Sequence, residues 1–216
     1  MESAILMAAG LGTRMRPLTD NTPKPLIKVA EKPLIETVID GLWQHGVREI
    51  YVVTGYLAEQ FDYLAEKYPG LTLVNNEEYT VKNNISSIHA VCQYMGKTDC
   101  FICEADLYVS DPAIFDIPHD KSCYYGKYVA GHSDDWVFDM DGERIVRVGK
   151  GGDDTYNMVG ISYFKAADAA YIADAILKAY KEPGHETLFW DEIVDRCLPK
   201  INLGICPVDA SQIAEL

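Results

Sequence analysis

Ser3-Ala4-Ile5-Leu6-Met7-Ala8-Ala9-Gly10-Leu11-Gly12-Thr13-Arg14-Met15-Arg16-Pro17 begins as an apolar run and breaks into glycine, cations and proline. Ser3 to Ala9 is short and continuously apolar, which suits a strand covered on both faces. Gly10, Gly12, Pro17, Pro23 and Pro25 then forbid regular structure, so a long loop follows a buried strand. From Pro33 onward Leu34, Val38, Leu42 and Trp43 recur at helical spacing until Gly46, and Glu49 to Thr54 reads as a second buried strand. The alternation continues with a helix from Ala58 to Lys67, a strand from Leu71 to Val74, a helix from Ile85 to Gln93 and a strand from Asp99 to Ala105. Such alternation predicts an α/β fold: a mixed, mostly parallel sheet with helices on both faces.

The middle of the chain reads differently. Ser122 to Val129, Trp136 to Met140 and Arg144 to Val148 are short β-branched and aromatic segments separated by turn chemistry such as Asp141-Gly142. They predict a small antiparallel lobe over about residues 120–157, with Gly149 to Asp154 as a polar connection. A strand from Met158 to Phe164, helices over Ala166 to Ala179 and Thr187 to Cys197, and a strand from Asn202 to Cys206 follow. With 216 residues, no internal repeat and no long linker, the expectation is one domain over 1–216 carrying an inserted lobe.

Composition narrows the function. Apolar residues at 48% and charged residues at 24% describe a folded globular chain. The net charge of −14 argues against a general surface for nucleic acid or anionic membrane, so an anionic ligand needs a local positive site. Six cysteines are too few for a disulfide scaffold, and no signal peptide or spanning segment is evident, which predicts a cytoplasmic protein with reduced thiols. Cys100 and Cys103 form a CxxC inside an apolar run, with no second pair to complete a zinc site, and read as buried strand residues.

The local positive site is the loop. Between Gly10 and Lys32, five cations (Arg14, Arg16, Lys24, Lys28, Lys32) face two anions (Asp20, Glu31). Glycines let backbone N–H groups approach phosphate oxygens, Arg supplies forked donors, and Lys a compact charge. The string lacks the GxxxxGK[ST] of a Walker loop, and Met15 replaces the third glycine of a dinucleotide fingerprint. Arg16 is open to two readings, a second phosphate contact or an ion pair with Asp20 or Glu36; Lys28 and Lys32 read as peripheral. Asp106 follows an apolar strand, so its carboxylate emerges at the sheet edge where open α/β proteins bind ligands; it can hold a metal or serve as a solvated cap.

Ala8-Ala9-Gly10-Leu11-Gly12-Thr13-Arg14 with Pro23-Lys24-Pro25 resembles the signature of nucleotidyltransferases that join a nucleoside triphosphate to a phosphorylated small molecule. With Gly55 to Leu64, Asn83-Asn84, Ser86-Ser87, Glu104-Ala105-Asp106, Trp136 and Phe189-Trp190-Asp191, the chain is similar to the bacterial CTP:phosphocholine cytidylyltransferase family within the sugar-nucleotidyltransferase-like superfamily. The resemblance implies a Rossmann-like three-layer α/β/α fold with an acceptor-binding lobe, CTP and phosphocholine as substrates, and Mg2+ as cofactor. It implies Arg14 and Lys24 as catalytic cations and Asp106 with Asp191 as metal ligands. Ala8, Ala9, Gly10, Gly12, Thr13, Gly55, Tyr56, Asn84, Ser87 and Glu104 are expected at the nucleotide, although Tyr56 also suits core packing. Trp136, Lys150 and Trp190 are expected at the acceptor.

The implied reaction is in-line attack of the acceptor's phosphate on the α-phosphorus, with no enzyme nucleophile. The alternatives are another acceptor (2-aminoethylphosphonate, phosphoethanolamine or a sugar 1-phosphate) or a catalytically silent nucleotide-binding module. Asn157 to Phe164 echoes sugar enzymes, but no Glu-Lys-Pro segment stands mid-chain. Related enzymes place acidic residues near the final strand, where this sequence reads Glu215-Leu216, leaving room for a module of a longer chain. Oligomeric state is not legible from these residues.

Overall fold

The computed structural model describes residues 2–215; Leu216, where the sequence leaves room for continuation, lies outside them. In β1 (Glu2–Met7), Ala4 and Leu6 enter one buried cluster and Ile5 the other. Successive strand side chains point to opposite faces, so a strand apolar on both belongs inside a sheet with two covered faces. β2 (Lys28–Val29) and β3 (Lys32–Pro33) make a minimal hairpin ahead of α1 (Leu34–His45). Then come β4 (Glu49–Thr54), α2 (Asp62–Lys67), β5 (Leu71–Asn75), α3 (Ile85–Val91), β6 (Asp99–Glu104) and β7 (Leu107–Val109). The hairpin strands β8 (Ser122–Asp141) and β9 (Arg144–Phe164) precede α4 (Ala166–Ala179), α5 (Trp190–Cys197), β10 (Leu203–Pro207) and β11 (Ile213–Glu215).

Seven strands form the main sheet in the order β10-β8-β9-β6-β1-β4-β5. β1 runs parallel to β4 and β6, β4 to β5, and β8 to β10, whereas β9 is antiparallel to both neighbours because a hairpin returns it. The mixed, mostly parallel sheet is the one the alternation predicts. α1 and α2 pack Ile35, Val38, Leu42 and Leu64 on one face; α3, α4 and α5 pack Ile88, Ile172, Ile176 and Ile193 on the other. Each such side chain contributes about 2 kcal/mol by burial, more than an exposed ion pair supplies, so these clusters hold the layers together. All six cysteines, Cys100 and Cys103 among them, are free and buried. Among the described residues no helix is long and apolar enough to cross a membrane.

The middle segment differs from the reading of separate short strands. Gly149 to Asp154 is not a free connection but part of β9, paired through Trp136↔Lys150, Ser133↔Gly152 and His132↔Asp153. The hairpin bends and doubles back, so Val137 pairs with both Asn157 and Gly149, and Phe138 with both Tyr156 and Val148. Left-handed backbone at Gly151 and Asp154 absorbs the bend without ending the ladder. The expected helix from Thr187 begins only at Trp190, because Glu192 reaches back to accept the Phe189 N–H at 2.8 Å and fixes the start there. The expected helix to Gln93 tightens after Val91 into a 3-10 turn. β7 and β11, too short to show a periodicity, pair with each other outside the main sheet.

Candidate active site

The loop after β1 is folded onto itself. Ala8 and Ala9 are buried at the strand's end, with the Ala8 N–H on the Val53 carbonyl at 2.8 Å and the Ala9 carbonyl accepting from the Tyr56 N–H at 3.2 Å. Gly12 is left-handed at φ 59°, and its carbonyl accepts from the Thr19 hydroxyl at 2.8 Å. A Cβ there would stand 3.0 Å from Thr19 Cγ2 and 3.1 Å from Lys24 Cβ, so glycine lets the proline-lysine-proline element close under the loop. The Tyr56 hydroxyl shares its proton between the Thr19 and Asp20 carbonyls, each 2.9 Å away, which gives this residue the job of clamping the loop. Gly10 and Thr13 lie at the exposed rim, and Gly55 packs between Tyr79 and Ala9.

Arg14 is exposed and forms no ion pair among the described residues. Arg16 takes the ion-pair alternative, 3.5 Å from Asp20, while Glu36 is engaged by Lys67 and Tyr63. Lys32 pairs with Asp40, and Lys28 is exposed. Lys24 turns inward, its Nζ 2.7 Å from Asp106 Oδ2, and both side chains are mostly buried.

Opposite the loop stand three carboxylates. Glu104 ends β6 and Asp106 follows it; β11 runs back along β7 with Glu215 opposite Leu107. Oxygens of Glu104, Asp106 and Glu215 lie within 4.8 Å of one another. Burial, and then the negative fields of Asp106, Glu215 and Asp191, push the Glu104 carboxyl up to about 8, against the opposing pull of Lys24. The Glu215 carboxyl is likewise raised, first by burial and then by Asp106, and is drawn back by Lys24 and Arg14. Three crowded oxygen donors facing one ammonium fit a hard divalent cation of the magnesium type.

Asp191 stands outside this group. It is buried on α5, accepts the Tyr124 hydroxyl at 2.9 Å, and burial pushes its carboxyl up to about 7. Beside Asp106 stand Glu104 and, in place of the expected Asp191, Glu215. Sequence reasoning passed it over because the pairing of β11 with β7 brings it back across about a hundred residues, and the one signal was its place near the final strand.

The remaining expected contacts separate into supports and walls. Asn84 Oδ1 accepts the Trp190 N–H at 3.0 Å, joining α3 to α5, and Ser87 receives Asn76 Nδ2 at 3.2 Å. Trp190 is buried against Tyr124 and Phe164, though it also lines a small hollow with Glu104, Met158 and Asp191. Trp136 meets Phe189, which the sequence reading left unassigned, at 5.3 Å between ring centroids. The Lys150 ammonium lies 5.8 Å from the Trp136 ring and 5.2 Å from Phe189. A larger groove of about 750 Å³ runs between the lobe and β10 past Lys121, Phe138 and Ile205, but it holds none of the loop cations or clustered carboxylates, so chemistry rather than volume locates the site.

A model of the MobA-like NTP transferase domain matches residues 4–122. A 2-aminoethylphosphonate cytidylyltransferase of Lancefieldella rimae is 57% identical over 99% of this chain and 87% of its own length. A choline-phosphate cytidylyltransferase of Streptococcus pneumoniae is 35% identical over 99% of this chain and 92% of its own. The solved CTP:phosphocholine cytidylyltransferase of Streptococcus pneumoniae superposes with a TM-score of 0.91 at 33% identity, covering 100% of this chain and 93% of that one.

Proposed function

Because the chain belongs to the MobA-like NTP transferase family and is a cytidylyltransferase, we propose that it transfers the cytidylyl group of CTP to 2-aminoethylphosphonate and releases pyrophosphate. The observation that carries the reading is the convergence of a cationic glycine loop on three clustered carboxylates through the Lys24–Asp106 pair. Phosphocholine, the acceptor implied by the sequence resemblance, yields to the aminophosphonate because the relative named for the latter is 57% identical and the one named for the former 35%. The position of Lys150 supports the same choice: the aromatic corner of Trp136 and Phe189, the natural seat for a quaternary ammonium, already carries a cation of the protein's own.

In this reading a phosphonate oxygen attacks the α-phosphorus in line, the bond from that phosphorus to the bridging oxygen breaks, and pyrophosphate departs with the electron pair. Lys24 and Arg14 stabilise charge accumulating on the phosphate oxygens, and the backbone from Gly10 to Thr13 cradles the triphosphate. Ala8, Ala9, Gly55 and Ser87 border the base, while Tyr56 and Asn84 act one step back, holding the loop and α5 in place. Glu104, Asp106 and Glu215 would hold a divalent cation such as magnesium, which supplies positive charge to phosphate oxygens when bound. The acceptor is already largely anionic near neutral pH, so positioning rather than general-base activation is the task of these residues.

The test is a matrix of CTP, UTP, dTTP and ATP against 2-aminoethylphosphonate, phosphocholine, phosphoethanolamine and sugar 1-phosphates, read by pyrophosphate release. The highest kcat/KM is expected for CTP with 2-aminoethylphosphonate. Preference for phosphocholine would overturn the acceptor, and CTP binding with no product from any acceptor would favour a silent nucleotide-binding module.

A further inference from the structure

β11 brings Glu215 to the carboxylate group on a slender attachment. Among the described strands it pairs with β7 alone, through Ile213↔Val109, Ala214↔Tyr108 and Glu215↔Leu107. Antiparallel neighbours alternate between pairs that exchange hydrogen bonds and pairs that do not. The Thr37 hydroxyl oxygen on α1 takes the Val109 N–H at 3.0 Å and lies 3.2 Å from the Leu107 carbonyl, so the polar groups of both residues turn away from β11. The bonded pair is therefore Ala214 with Tyr108, and Glu215 stands beyond it. On the other side of that pair, the Gln212 carbonyl accepts from the Ser110 and Asp111 N–H groups at 3.0 and 3.3 Å.

The same alternation points the Ile213 carbonyl off the free edge of β11. The half-buried Lys127, on β8, donates its ammonium N–H to that carbonyl. Among the described residues no other side chain hydrogen-bonds to β11. A hydrogen bond from a charged donor is about twice as strong as a neutral one. The need for such a tie is electrostatic. Glu104, Asp106 and Glu215 hold oxygens within 4.8 Å of one another and repel when ionised. Glu104 and Asp106 are fixed by β6, inside the main sheet, so the repulsion falls on the three-residue strand at its margin.

We infer that Lys127 is a positioning residue for the divalent cation: by fixing the Ile213 carbonyl two residues before Glu215, it holds that carboxylate beside Glu104 and Asp106. The inference rests on the reading of these three carboxylates as a cation site. Lys127 touches neither the cation nor a substrate and acts through Glu215, joining the hairpin lobe to the carboxylate group.

The experiment compares the parent, Lys127→Met, Lys127→Arg, Glu215→Gln and the double variant Lys127→Met/Glu215→Gln, with folding checked by thermal melting. One readout is amide hydrogen exchange over residues 211–215 in the metal-free protein. The other is the magnesium concentration for half-maximal rate, with the acceptor that the substrate matrix selects. Lys127→Met is expected to speed exchange in this segment about tenfold while β1 and β6 exchange as in the parent. It is also expected to raise the magnesium requirement about tenfold, and by no more than Glu215→Gln does. Lys127→Arg, which keeps a charged donor, should restore both readouts, and Lys127→Met should add nothing to the magnesium requirement of Glu215→Gln. Lys127→Gln makes the same comparison if Lys127→Met melts early. A parent without turnover, or a Glu215→Gln that keeps the parent's requirement, overturns the metal reading and this inference together. If Glu215→Gln raises the requirement, the inference alone is overturned by either readout staying at the parent value in Lys127→Met, or by equal effects of that substitution with and without Glu215.

Discussion

Lys24 Nζ and Asp106 Oδ2 lie 2.7 Å apart, tying the loop after β1 to the end of β6. The pair sits where the loop meets the carboxylates, so Lys24 serves two ends: it offsets repulsion among Glu104, Asp106 and Glu215, and it stands ready for an arriving phosphate. Removing it touches both chemistry and the local charge balance.

Lys24→Ala and Arg14→Ala are each expected to lower kcat by about 10²–10³-fold, the range for deleting one preorganised charge donor. Arg14 is exposed, so its loss should leave the melting temperature near the parent value, whereas Lys24→Ala should melt lower without magnesium and recover when it is added. Steady-state kinetics with thermal melts at several magnesium concentrations check this; near-parent turnover in both folded variants would refute the assignment.

Glu215→Gln and Asp191→Asn distinguish the two candidates for a carboxylate partner of Asp106. Loss of a direct ligand should raise the magnesium concentration for half-maximal rate at least about tenfold. That rise is expected for Glu215→Gln and not for Asp191→Asn, since Asp191 lies on the Tyr124 hydroxyl outside the cluster. The opposite pattern would restore Asp191 to the metal.

Asp191 also gives a pH dependence. Burial raises its carboxyl from 3.8 to about 7, so between those values the native state keeps a proton that the unfolded chain has released. The contribution of this one carboxyl to stability is therefore full below pH 3.8 and is lost as pH rises toward 7, by about 4 kcal/mol at 1.36 kcal/mol per unit. Asp191→Asn, whose Oδ1 still accepts from Tyr124, is expected to gain most over the parent at pH 8 and little at pH 4. Denaturant unfolding at the two pH values measures it, and an equal gain at both would contradict the buried neutral carboxyl.

Gly12→Ala tests the loop's geometry. A left-handed alanine costs about 1–2 kcal/mol, and its Cβ would press on Thr19 and Lys24 at 3.0 and 3.1 Å. The expected result is a drop in kcat of tenfold or more with only a few degrees lost in melting temperature, because the strain falls on the loop after β1 rather than on the two buried clusters that hold the layers together. A variant with parent kinetics would show that Lys24 does not depend on this turn.

How much of this was legible depends on the distance over which each residue acts. The strand-loop-helix start, the helix ended by Gly46 and the cations of the loop follow from spacing within a few positions, and they stand where the sequence put them. The bend of β8 and β9 was not legible, since a ladder that pairs Val137 on both sides depends on partners rather than on local periodicity.

The order of residues alone specifies a two-faced α/β sheet and a phosphate-seeking loop in an acidic chain, because apolar period and glycine-proline chemistry are local properties of the backbone. Long-range folding is what joins Glu215 to Glu104 and Asp106 and makes Tyr56 and Asn84 brace rather than face outward. Those relationships join residues far apart in the chain. Their energies exist only once folding has removed water and brought charges and hydrogen-bonding groups within a few ångströms.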